Sequence, residues 1–158
     1  MKRSLGLMLQ ELINNKVLVC SFVAWLTAEI LKFIVDGRKR GEWKLRNMFS
    51  SGGFPSSHTA AVFSLSLATG MNEGFQTALF AVSGVFAMVV MYDATGVRQE
   101  TGKQGMVLNS LISWLKNEQP DAMVSGEAGM KERVGHSWGE VFAGALWGLF
   151  WVVIFFRL

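Results

Sequence analysis

The sequence predicts an all-α fold: an integral membrane helical bundle of about four transmembrane helices plus one or two interfacial amphipathic helices. Three observations carry that expectation. The 158 residues are 51% hydrophobic with a mean hydropathy of +0.32, too apolar for an ordinary soluble domain. Four apolar segments recur, most of them close to the ~20 residues that cross hydrocarbon. The basic residues cluster between those segments instead of spreading evenly. The length has room for one domain, 1–158, and there are no heptads, internal repeats or low-complexity tracts.

Residues 1–16, MKRSLGLMLQELINNK, begin with basic residues, but Gln10, Glu11, Asn14 and Asn15 interrupt any signal-peptide core. They read as a short amphipathic helix at a membrane surface. The first span, 17–35, contains Glu29 and Lys32, which are costly in lipid and should face a protein interior or snorkel. The second, 59–71, is short and rich in small residues, which suits an enclosed or tilted helix packed tightly on its neighbours. Residues 75–92 form a third span, and 138–156 a fourth with Glu140 near one end. A soluble bundle of four buried helices is the competing reading. The fourth segment argues against it, because it offers almost no polar face. Cys20 is the single cysteine, so no disulfide framework exists.

Threading the spans alternately puts the connections 36–57 and 93–137 on one side. That side carries ten basic residues (Arg38, Lys39, Arg40, Lys44, Arg46, Arg98, Lys103, Lys116, Lys131, Arg133), against four on the other (Lys2, Arg3, Lys16, Arg157). The imbalance predicts a cytoplasmic loop side. Within the second connection, 105–117 places Val107, Leu108, Leu111, Ile112, Trp114 and Leu115 at largely helical spacing, an interfacial amphipathic helix. Residues 118–131 read as a flexible link.

The stretch SSGGFPSSHTA, 50–60, holds more breakers than a turn requires. Gly52 and Gly53 let backbone approach a ligand, Pro55 sets the entry angle, and Ser56 or Ser57 can cap the helix that follows. The N–H groups at that helix start suit a phosphate, with His58 in the first turn beside it. A capped helix start with no ligand is the plainer reading. His136 and Glu140 are spaced to share a helical face, and a carboxylate that orients an imidazole leaves its other nitrogen free to attack. Two histidines and no ligating cysteine make a metal site a poor fit. In YDATGVRQETGKQG, 92–105, Arg98 suits bidentate phosphate binding and Asp93 can orient it. An interfacial anchor at a helix end is the plainer alternative.

GGFPSSHTA, YDATGVR and GHSWGEVFAG together resemble the divergent branch of the type 2 phosphatidic acid phosphatase and vanadium haloperoxidase superfamily, over residues 24–150. The resemblance implies metal-independent, cofactor-free removal of phosphate from a lipid-linked phosphate or pyrophosphate through a phosphohistidine. It implies that His136 is the nucleophile, Glu140 its orienting carboxylate, and His58 the proton donor to the leaving group. Lys32 matches the first-motif lysine, and Arg38 or Arg40 its arginine. Together with Ser56, Ser57 and Arg98 these would hold the phosphate, with Asp93 supporting Arg98. The chain departs from the superfamily pattern in four places. It has no arginine–proline pair in the first motif, Ser57 stands for glycine, Glu140 stands for aspartate, and Arg98 lies at an unusual distance from His136. Arg133 is a second candidate for that arginine. The expected partners are a lipid phosphate and membrane lipids, not nucleic acid, and a homo-oligomer is compatible with the sequence. The alternatives are a non-catalytic membrane protein that binds anionic head groups or a partner protein, and a small transporter subunit or assembly factor. Vanadate-dependent halide oxidation suits a soluble substrate, not a lipid-facing bundle.

Overall fold

The computed structural model describes residues 5–41, 43, 52–118, 129–130 and 134–157, and for Arg40 only the backbone. Six helices follow in order: α1 Leu5–Asn14, α2 Lys16–Arg40, α3 Ser57–Glu73, α4 Ala78–Thr95, α5 Val97–Glu118 and α6 Trp138–Phe156.

Local chemistry explains most of the boundaries. Asn15 ends α1 and caps α2, its side chain accepting from the Leu18 N–H at 3.0 Å. Gly41, in the left-handed region at φ 68°, closes α2 with its N–H on the Gly37 carbonyl. Thr77 caps α4, and Ser137 caps α6 in a reciprocal capping box with Glu140. At 25 residues α2 runs about 38 Å, enough to cross a bilayer.

α3 is the enclosed helix, packed against α2, α4 and α6. Its 17 residues bury Ser57, Ala60, Ser64 and Ala68 along one stripe. The inward hydroxyls are satisfied locally, as where Ser64 Oγ donates to the Ala60 carbonyl at 2.6 Å. Small residues matter here because no hydrophobic drive separates helix from lipid; close van der Waals approach has to hold the helices together. α6 makes that approach with two glycines one turn apart. A Cβ at Gly144 would strike the Ser56 carbonyl oxygen, and one at Gly148 would lie 2.7 Å from that of Ala60. The Thr27 hydroxyl ties α2 to α6 by accepting from Trp147 Nε1 at 3.0 Å. At the end of the bundle away from the histidines, Cys20, Ala68 and Val152 form a core with Val17, Leu67 and Phe155 around it.

The large apolar residues point outward instead. Leu79, Val82, Val85, Phe86, Met88 and Val89 of α4 are exposed, as are Phe142, Leu146 and Phe150 of α6. Small or polar inside and bulky outside is the pattern of a bundle solvated by lipid. It removes the soluble-bundle alternative. The segments Lys16–Lys39, Ala78–Glu118 and Trp138–Phe156 are each long and apolar enough to cross a membrane. α3 is the shorter fourth helix that they shelter. α1 exposes Leu5, Leu9, Leu12 and Ile13, as expected of a surface-lying helix.

One expectation needs correction. Residues 93–104 read as connection, yet α4 continues to Thr95 and α5 starts at Val97 after a one-residue elbow at Gly96. Gly102 and Gly105 are the buried positions of α5. Glu100 in the first turn favours that helix start, and Lys103 three residues on pairs with it at 2.6 Å. The interfacial helix is therefore 22 residues long and not the 13 of the segment 105–117. Much of the link at 118–131 lies outside the described residues. Where the chain returns, Asn109 holds Met130 to α5 by two side-chain bonds of 2.9 Å.

Candidate active site

The site is assembled at one end of the bundle, where α2, α3, α6 and the α4–α5 elbow meet. The inner face of α2 changes character there. Cys20, Ala24 and Ala28 give way to Glu29, Lys32 and Asp36, all buried. Lys32 Nζ lies 2.5 Å from Glu29 Oε2, with 2% and 3% of the two side chains exposed. The other Glu29 oxygen accepts from Ser57 Oγ at 2.6 Å, joining α2 to the first residue of α3. Charges this deep persist only when paired and hydrogen-bonded.

The glycine–serine stretch lies over this pair. Gly53, at φ 116°, has a conformation that L side chains rarely adopt. A Cβ there would sit 3.1 Å from Lys32 and from Asp36 Oδ2, so a glycine is required for the loop to drop onto them. Pro55 and Ser56 are fully buried. Of the two serines that could cap α3, Ser56 does so, accepting from the Thr59 N–H at 3.4 Å and from the Thr59 hydroxyl at 2.9 Å. Its N–H donates to the Glu140 carbonyl at 3.0 Å, which clamps the start of α3 against the start of α6. The Ser56 hydroxyl is thus occupied by the cap, and that of Ser57 by Glu29. The N–H groups of Ser57 and His58 precede the helix's own bonding ladder. His58 follows in the first turn, exposed.

His136 arrives from the other lip. Its N–H donates to the Ala94 carbonyl at 2.9 Å, and Gly135 (φ 86°) lies against the Arg98–Gln99 backbone, where a Cβ would clash. The imidazole is 7% exposed, and its Nδ1 has no hydrogen-bond partner among the described residues. Burial lowers its pKa below the usual imidazole value. The Glu140 carboxylate opposes that shift, and His58, Lys32 and Arg98 reinforce it. These influences place the two histidines, Lys32 and Arg98 in one electrostatic neighbourhood. Glu29, Arg98 and Lys32 likewise act on His58.

His136 and Glu140 do not share a helical face. His136 precedes the Ser137 cap, and Glu140 Oε2 accepts from the Ser137 N–H at 2.9 Å in the capping box. The carboxylate reaches the imidazole through space, not by the direct hydrogen bond their spacing predicts. Asp93 does meet Arg98: across the elbow, Arg98 Nε donates to Asp93 Oδ2 at 2.6 Å. Arg38 stands exposed in the last turn of α2 with no ion pair or hydrogen bond among the described residues. The side chain of Arg40, and all of Arg133, lie outside the described residues. No cluster of three or more metal-ligating side chains occurs among the described residues.

A cavity of about 230 Å³ opens beside His136, bounded by Gly53, Ser137 and Glu140 on the lips and by Gln99, Lys103 and Met106 of α5. A larger one, about 720 Å³, lies at the opposite end among Asn14, Lys16, Asn72 and Glu73 and contains neither histidine. Sequence reasoning missed two residues of the site, Glu29 as its anchor and Lys103 as a wall. Glu29-x-x-Lys32 at ion-pair spacing was the available signal for the first. The second became visible only once α5 was seen to start at Val97.

A buried imidazole with a free nitrogen, a second imidazole within electrostatic range and two nearby cations can together bind an anion, attack it and move a proton. The chain is 39% identical over 150 residues to an uncharacterized membrane protein of Bacillus subtilis (strain 168), YuiD, covering 88% of this chain and 92% of that one. No solved structure matches. Residues 13–151 match the Divergent PAP2 family, and this integral membrane protein belongs to that family.

Proposed function

We propose that the protein is a membrane phosphatase that removes phosphate from a lipid-linked phosphate or pyrophosphate without a metal. The observation that carries this reading is the buried His136, its Nδ1 unpartnered among the described residues, beside a cavity and within electrostatic range of His58. A phosphoryl group bound near Lys32, Arg98 and the N–H groups of Ser57 and His58 would present phosphorus to His136. An imidazole nitrogen attacks; a nitrogen–phosphorus bond forms as the bond to the lipid oxygen breaks, and His58 gives that oxygen its proton. Water then attacks phosphorus, His58 takes its proton, and the nitrogen–phosphorus bond breaks to release inorganic phosphate. The loop end, with its excess of basic residues, faces the cytoplasm in this reading.

Purified protein in detergent, given a panel of lipid phosphates with EDTA present, tests it. Release of phosphate by the wild type and not by His136→Ala supports the enzyme.

A second reading rests on the paired state of the two cations. Lys32 is held by Glu29 and Arg98 by Asp93, which suits a protein that binds anionic head groups without turnover. Retained head-group binding with no release from any lipid would favour it.

A further inference from the structure

The cavity beside His136 has a neighbour. Lys103, part of its α5 wall, also borders a second hollow of about 500 Å³ lined by Glu100, Gln104, Val107 and Leu108. The shared residue is a cation, and the ground beyond it is apolar. One helical turn after Lys103, Val107 and Leu108 are 68% and 40% exposed. The cavity (Gln99, Lys103, Met106) and the mostly apolar groove (Gln104, Val107, Leu108) therefore lie on neighbouring faces of α5, with the positive charge of Lys103 on their border. That is the polarity of an amphiphile with an anionic head.

Lys103 is also the readiest cation at the cavity. Lys32 is buried against Glu29, and Arg98 is held by Asp93. Among the described residues the Lys103 ammonium pairs with Glu100 alone, and the two side chains are 56% and 61% exposed. An exposed pair of this kind is weak in water, so a phosphate can take the ammonium over at little cost.

We propose that Lys103 is a phosphate-binding residue and that the groove over Val107 and Leu108 seats the hydrocarbon chain of a lipid phosphate whose head group reaches His136. The proposal rests on the phosphatase reading for its substrate, but not on turnover for its geometry. Adjacency of cavity and groove across Lys103 selects the occupant: a chain bonded to the bound phosphate has the groove as its next surface. Soluble phosphate esters would gain the lysine and forgo the groove.

Full-length protein in detergent with EDTA would be assayed on two phosphate monoesters sharing a head group, one long-chain and one short-chain and water-soluble. Lys103→Gln raises KM for both on the order of tenfold, the loss of one charge-assisted contact, and Lys103→Arg restores it. The Val107→Ser/Leu108→Ser double variant raises KM on the order of tenfold for the long-chain ester alone. All three positions are exposed, so an unchanged melting temperature excludes misfolding. Independently of turnover, a lipid phosphate carrying a mid-chain diazirine should label α5 around Val107 and Leu108. Labelling confined to α2 or α4, unchanged KM in Lys103→Gln, or equal KM changes for both chain lengths in the double variant would each overturn the proposal. Labelling on α5 with no phosphate released from any ester keeps the groove and removes the phosphatase reading.

Discussion

Ser57 Oγ donates a 2.6 Å hydrogen bond to Glu29, so the residue standing where the superfamily has glycine is bonded to the carboxylate that pairs with Lys32. The departure from the motif is thus part of a buried unit that spans α2 and α3, and its Glu29 and Lys32 act electrostatically on His58, the next residue after Ser57. Removing either partner leaves the other exposed to a cost that water cannot relieve.

Ser57→Ala should lower stability by about 1–3 kcal/mol, because one oxygen of Glu29 loses its donor in a buried site. Glu29→Ala should cost more, about 3–5 kcal/mol, by leaving the Lys32 ammonium without its counter-charge. Melting temperatures in detergent check both. Unchanged values would mean that the unit is open to water.

The α3–α6 contact makes a sharper packing prediction. Gly144→Ala drives a methyl into the Ser56 carbonyl and should destabilise by about 1–3 kcal/mol while displacing the lip that carries His58. Gly6→Ala, in α1 with nothing within 4 Å, is the control and should be neutral or slightly stabilising. Equal behaviour of the two variants would contradict the packing.

The pH dependence follows from His136. Attack requires the neutral imidazole, and burial already lowers its pKa from 6.5. On the acid side activity should therefore persist below pH 6.5 and fall as acid protonates the ring, giving an acid limb centred below that value. Glu140 pulls the pKa upward, so Glu140→Gln should move the limb to still lower pH. Glutamine also completes a capping box, which separates the charge effect from the fold. A limb that moves to higher pH in this variant would be the wrong sign.

Arg98 is held by Asp93 in an exposed pair. Asp93→Asn releases the guanidinium to an anion, and because exposed pairs contribute about 0–1 kcal/mol, vanadate inhibition should tighten by up to about fivefold. Weakened inhibition would mean that Asp93 aims the arginine more than it competes for it.

The helices were legible because apolar runs long enough for a membrane leave few alternatives, and α6 coincides with its expected range, Trp138–Phe156. The Ser56 cap and the Asp93–Arg98 pair were legible as well, since each depends on a few neighbouring residues. The start of α5 at Val97 was missed because its first turns, polar and without an apolar stripe, pack through Gly102 and Gly105, which the sequence does not mark as inward-facing. His136 was set on the helix by its spacing to Glu140. A shorter-range signal, Ser137-x-x-Glu140, competes for the same carboxylate and takes it. The Glu29–Ser57 bond joins residues 28 positions apart and follows from packing alone.

The central claim is that His136 carries the phosphoryl group, and acid-quenched mass spectrometry on protein incubated with a lipid phosphate in EDTA tests it most directly. A phosphoryl adduct on the peptide containing His136, lost in His136→Ala, is the expected result. Phosphate released at full rate with that peptide unmodified, or with the adduct on another residue, would contradict it.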